Sequence, residues 1–114
     1  MSLQCTFRDA GTVTVVDFSG KITLGEGSAL VRKTIRGLLD EQRIKLLIDL
    51  GDVDYIDSAG IGEMVTAFTA VKNRGGELKL LNLTKKVKDL LQITKLYTVF
   101  DVHSNETDAI KSFG

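Results

Sequence analysis

Apolar and polar residues alternate along the first part of the chain, and the period then lengthens. Residues 12–18 read Thr-Val-Thr-Val-Val-Asp-Phe, β-branched and alternating, behind the turn dipeptide Ala10-Gly11. That pattern predicts a strand paired as a hairpin with residues 4–8 and closed by Ser19-Gly20. From Gly25-Glu26-Gly27-Ser28 onward, Val31, Ile35, Leu38 and Leu39 fall at helical spacing, with Ser28 as cap or first-turn residue. Residues 44–50, Ile-Lys-Leu-Leu-Ile-Asp-Leu, are almost continuously apolar, as in a parallel strand covered on both faces. Residues 51–57, with Gly51, Asp52, Asp54 and Asp57, read as its exit loop.

From Ser58 the helical period returns, with Ile61, Met64, Val65 and Phe68 on one face. Lys72-Asn73-Arg74 followed by Gly75-Gly76 is a stop signal, with cations in the last turn and glycine beyond it. Residues 77–81 predict a short strand, and Thr84 caps a helix carrying Val87, Leu90 and Leu91. Residues 99–102 predict a last strand, and Ser104 or Asn105 starts a short helix ending near Phe113. Strands alternating with helices specify the α/β class, a mixed sheet with helices laid on it. No proline, repeat or linker interrupts the pattern, so a single domain is expected over residues 1–114.

Composition narrows the function. An apolar fraction of 43% with 26% charged residues is that of a folded domain. Fifteen basic residues balance fifteen acidic ones, which argues against a nucleic-acid binder or a polybasic membrane-surface protein. No apolar run approaches the roughly 20 residues of a membrane span. Met1-Ser2-Leu3-Gln4-Cys5 shows neither the basic nor the apolar region of a secretory leader. With a single cysteine as well, a cytoplasmic protein is expected.

The sharpest feature is Asp57-Ser58-Ala59-Gly60-Ile61-Gly62, placed between a buried strand and a helix. Ser58 falls at or next to the N-cap, where its oxygen can satisfy free amides. One capping residue would do, yet two stand in a row. Gly60 and Gly62 each cost about 1 kcal/mol relative to alanine in a helix, which implies room left for something to approach. Between Ser58 and Val71 the only charge is Glu63, so Ala59, Gly62, Thr66, Thr69 and Ala70 form a small, nearly uncharged face. Such a face is expected to be buried in the domain or covered by another molecule.

Catalysis is not expected. The only histidine is His103, and no Gly-x-Ser-x-Gly elbow precedes the helix. One cysteine and one histidine cannot build a zinc site, and Asp49, Asp52, Asp54 and Asp57 lack the spacing of a calcium loop. Gly25-Glu26-Gly27 lacks a dinucleotide or P-loop fingerprint, and Lys85, Lys86 and Lys88 read as a solvated cluster. No catalytic set, metal or cofactor is therefore predicted.

The order of elements, the stretch 46–50, the Asp57–Gly62 motif and the return Arg74-Gly75-Gly76-Glu77-Leu78 resemble the STAS domain, specifically the stand-alone bacterial anti-anti-sigma factors (anti-sigma factor antagonists). The resemblance covers nearly the whole chain. It implies a mixed four- to five-stranded sheet with helices mostly on one face. It further implies partner switching, in which the unphosphorylated protein binds an anti-sigma factor that is also a serine kinase, and so frees a sigma factor for transcription. Phosphorylation of the motif serine, here Ser58, releases that partner, and a cognate phosphatase reverses the step. Asp57, Ser58, Ala59, Gly60, Ile61, Gly62 and Thr23 are the partner-binding residues this resemblance implies. Where the family commonly reads Gly-Glu-Leu-Asp, this chain has Gly20-Lys21-Ile22-Thr23, so a partner suited to a lysine and a hydroxyl is expected. Two other readings are a constitutive STAS scaffold in a signalling or lipid-transport assembly, with Ser58 only a helix cap, and a nucleotide-binding or weakly catalytic protein.

Overall fold

A computed structural model of the chain describes residues 3–114; Met1 and Ser2, which head the segment read as lacking a leader, lie outside the described residues. Five strands form one sheet in the order β1-β2-β3-β4-β5, with β1 (Gln4–Ala10) antiparallel to β2 (Val13–Ile22) and every later pair parallel. The hairpin is the one expected, running from Gln4 opposite Ser19 to Ala10 opposite Val13. β3 spans Lys45–Ile56, β4 Glu77–Leu81 and β5 Asp101–His103.

Helices α1 (Glu26–Asp40), α2 (Ser58–Asn73) and α3 (Lys85–Ile93) cover one face. Val16, Phe18, Leu46, Ile48, Leu50, Leu78 and Leu80 point into that layer and meet Val31 and Ile35 of α1, Ile61, Met64 and Val71 of α2, and Val87 and Leu91 of α3. The short α4 (Glu106–Lys111) lies on the opposite face, where Ala109 and the half-buried Ile110 and Phe113 close over Val13, Val15, Leu47 and Leu81. Leu46, Leu47 and Ile48 are each fully buried, the two-faced burial that their unbroken apolar run demands.

Three boundaries differ from expectation. β2 does not close at Ser19-Gly20 but runs on to Ile22, with register shifts between Asp17 and Ser19 and between Gly20 and Lys21. Residues 51–56 are not a loop but the second half of β3, pairing Ser19 with Asp52, Gly20 with Val53, Lys21 with Tyr55 and Ile22 with Ile56. Bulges accommodate the extra residues, and cross-strand hydrogen bonding outweighs the poor strand propensity of glycine and aspartate. The last strand starts at Asp101 rather than residue 99, after a 3₁₀ turn at Leu96–Thr98. The extended β2 and β3 end side by side, and their last residues frame the start of α2.

Candidate functional site

Asp57 follows β3 directly and is the N-cap of α2. Its Oδ1 accepts the Gly60 amide at 2.8 Å, and its Oδ2 accepts the Leu24 amide at 3.0 Å from the turn between β2 and α1. Its own amide donates to the Ile22 carbonyl at 3.2 Å. One residue thus ties three segments together, two through its carboxylate and one through its amide. Donation from Leu24, then from Gly60, holds the Asp57 carboxyl below its ordinary range, because both bonds favour the ionised form.

Because Asp57 does the capping, Ser58 is relieved of it. Ser58 is the first residue of α2 and is exposed. Ala59 is half-buried and Gly62 exposed beside it, whereas Gly60 and Ile61 are buried. The expectation that both glycines leave room for an approaching molecule therefore needs correcting. A Cβ on Gly60 would run into the Ile22 carbonyl oxygen and would stand 2.7 Å from Ile56 Cγ1, so its space is filled by the chain's own strand ends. Nothing lies within 4 Å of the corresponding point on Gly62. Gly60 and Ile61, named above as partner-binding, are both buried in the domain.

The outer face of α2 is not buried within the domain. Gly62, Thr66 and Thr69 are exposed, and the two threonine hydroxyls donate back to the Gly62 and Val65 carbonyls at 3.0 Å. Glu63 is half-buried and accepts from Arg32 Nη2 of α1 at 2.9 Å.

Beside Ser58 the surface dips into a groove of about 490 Å³. Tyr55, Ile56, Asp57 and Ser58 form one wall, and Lys86, Asp89, Leu90 and Ile93 of α3 form the other. Ile93 is 78% exposed and Tyr55 45%; on the far side of Asp57, Leu24 is 80% exposed. Exposed apolar side chains thus flank the Asp57 tie on both sides. The sequence places none of Leu24, Tyr55, Lys86, Leu90 and Ile93 at the site. A signal existed for two of them. Ile93 is apolar but out of phase with the buried Val87 and Leu91, and Leu24 is apolar inside a turn.

The family model described as STAS domain matches residues 5–109. The chain belongs to the STAS domain family. The anti-sigma-B factor antagonist of Bacillus subtilis (strain 168) is 35% identical to it over 96 residues, 84% of this chain and 86% of that protein. The protein of the same name from Listeria monocytogenes serovar 1/2a is 33% identical over 110 residues, 93% of this chain and 91% of that one. An anti-sigma factor antagonist from Mycobacterium paratuberculosis shares the fold with a TM-score of 0.85 at 21% identity, covering 98% of this chain and 94% of that one. The Bacillus cell fate determinant SpoIIAA in its phosphorylated form does so with a TM-score of 0.73 at 15% identity, covering 95% and 97%.

In this STAS domain the segment Gly20–Thr23 adjoins the motif. Lys21 lies opposite Tyr55, with its ammonium 3.5 Å from Asp54 Oδ1 and 5.8 Å from the Tyr55 ring centre. Thr23 is half-buried between Ile22 and Leu24, both of which bond to Asp57, and its carbonyl accepts the Ser28 amide at 2.9 Å. The aspartates scatter rather than converge. Asp49 accepts the Gly51 amide and is pushed up by burial, Asp54 pairs with Lys21 and Asp57 caps α2. Among the described residues no group of three His, Cys, Asp or Glu side chains could hold a metal ion. His103 faces the α4 side, 3.1 Å from Asp101 and 3.5 Å from Ser112, and so lies on the opposite face of the sheet from α2.

Proposed function

We propose that this protein is an anti-sigma factor antagonist of the bacterial cytoplasm, a binding protein without turnover of its own. In this reading it holds an anti-sigma factor with serine kinase activity through the rim around Ser58. It releases that partner when Ser58 is phosphorylated, and a phosphatase restores binding. The observation that carries the reading is the exposed Ser58 at a capped helix start, flanked by the exposed apolar side chains of Leu24, Tyr55 and Ile93. The names of the relatives supply the class of partner. Asp57, Ser58, Ala59, Gly62 and Thr23, with that apolar rim, form the proposed contact surface. Among the described residues no helix is long and apolar enough to cross a membrane.

The switch is a matter of desolvation. The kinase would pass the γ-phosphoryl of ATP to Ser58 Oγ, with loss of the hydroxyl proton and release of ADP. The product carries about −1.5 to −2 charges at the positive end of α2, where the helix dipole offsets part of their mutual repulsion with Asp57. The fold is therefore little disturbed. A partner that buries this surface must strip water from a dianion, and each 1.4 kcal/mol of that cost is about tenfold in affinity. Incubation with the cognate kinase and ATP, followed by mass-spectrometric mapping, should place phosphate on Ser58. Ser58→Ala should bind the partner constitutively, while Ser58→Asp binds poorly and melts within a few degrees of wild type. Phosphate predominantly on Ser28, Thr66 or Thr69 would overturn the assignment.

A further inference from the structure

Three lysines open α3, and the fold directs them three ways. Lys85 donates to Asp89 Oδ2 one turn along at 2.9 Å. Lys88 lines a separate cavity with Asn82, Tyr97 and His103. Lys86 stands in line with Asp89, Leu90 and Ile93 on the α3 wall of the groove, opposite Asp57 and Ser58. It is exposed, and no ion pair engages it among the described residues. The two acids facing the groove are already committed, Asp57 to the Leu24 and Gly60 amides and Asp89 to Lys85. Lys86 is the groove charge left without an opposite.

The start of α2 offers an anion at Ser58 its dipole but no charged partner. The Gly60 amide, aimed at the helix start, is spent on Asp57. A phosphate there gains from a cationic donor, and a lysine on its flexible four-carbon stem on the facing wall of the groove can supply one. We infer that Lys86 is the counter-charge of phosphorylated Ser58, pairing with the phosphate across the groove between the walls that carry Tyr55 and Ile93. The inference rests on Ser58 being the acceptor. Phosphorylation then closes the docking groove as well as charging its rim.

The test uses full-length protein with phosphoserine installed at position 58 during synthesis, so that no kinase is involved. Titration of the phosphate by ³¹P NMR reads its second ionisation, ordinarily near pH 6. The groups facing it are Asp57 of α2, Tyr55 of β3 with the Lys21–Asp54 pair beside it, and Asp89 and Lys86 of α3. Lys86→Gln should raise the midpoint by about half a pH unit, an effect that fades towards 1 M salt. Lys86→Arg should keep the wild-type midpoint, and so should Lys88→Gln. An unchanged midpoint in Lys86→Gln, or an equal rise in Lys88→Gln, would overturn the pairing. Ser58 failing as the natural acceptor would appear instead in the kinase mapping and would leave this titration intact.

Discussion

Gly60 and Gly62 sit two residues apart in the first turns of α2, yet alanine at each should move stability in opposite directions. Gly62 faces open space, so Gly62→Ala gains only helix propensity, up to about 1 kcal/mol. Gly60→Ala drives a methyl into the Ile22 carbonyl and should cost at least about 2 kcal/mol, because backbone must shift to admit it. Urea melts of both variants check the contrast. Asp57→Asn tests the tie beside them. Asparagine can still accept from Gly60, but its amide nitrogen then faces the Leu24 amide, donor against donor. A loss of about 1 kcal/mol is expected at pH 7. The native Asp57 carboxyl titrates below the ordinary aspartate value, so its stabilisation is complete above about pH 4 and drains away as pH falls through the native value. The gap between wild type and Asp57→Asn should therefore narrow below pH 4 in melts stepped down from pH 7.

At the scale of elements, α3 carries one wall of the groove, and the proposed docking there is open to test. Ile93→Lys tests it. The position is 78% exposed and closes the last turn of α3, where a cation suits the helix dipole, so stability should hold within about 0.5 kcal/mol. Affinity for the partner should nevertheless fall at least about tenfold by calorimetric titration, because an apolar anchor has become a charge. Equal binding by wild type and Ile93→Lys would remove α3 from the interface. The helices were legible in the sequence because their signals are local: the Thr84 cap, the stop at Gly75-Gly76, and the i, i+3, i+4 spacing from Ile61. The second half of β3 was not, because Gly51-Asp52-Val53-Asp54 becomes strand only through its partner β2, some thirty residues earlier. The same distinction divides the site. Asp57 and Ser58 adjoin in sequence and can be read there, whereas the groove joins residues 55–58 to 86–93, a juxtaposition that only packing creates.

The whole molecule is an uneven sandwich, three helices on one face and a single short helix on the other. α4 should matter far more than its six residues suggest. Ala109 is fully buried, Ile110 and Phe113 pack over the second apolar layer, and Lys79 reaches up to the Ser112 carbonyl at 2.9 Å and the Phe113 ring at 4.9 Å. Deleting residues 105–114 bares Val13, Val15, Leu47 and Leu81 and takes from the Lys79 ammonium its Ser112 partners, leaving it Asp101 and Glu77. A loss of about 3–5 kcal/mol is expected by urea denaturation, with new binding of a hydrophobic dye. An unchanged midpoint would show that the second face needs no cover.

Leu24 joins the site through its backbone, since the Asp57 carboxylate bonds its amide while its side chain stands 80% exposed. The attachment is therefore blind to what residue 24 is, provided that it is not proline, which has no amide hydrogen to give. Position 24 acts as a socket whose fitting can be exchanged without disturbing the wiring behind it. Partner preference could drift there by single substitutions while the serine and its cap stay as they are, and a library randomised at this one codon would yield mostly folded proteins that differ in what they bind.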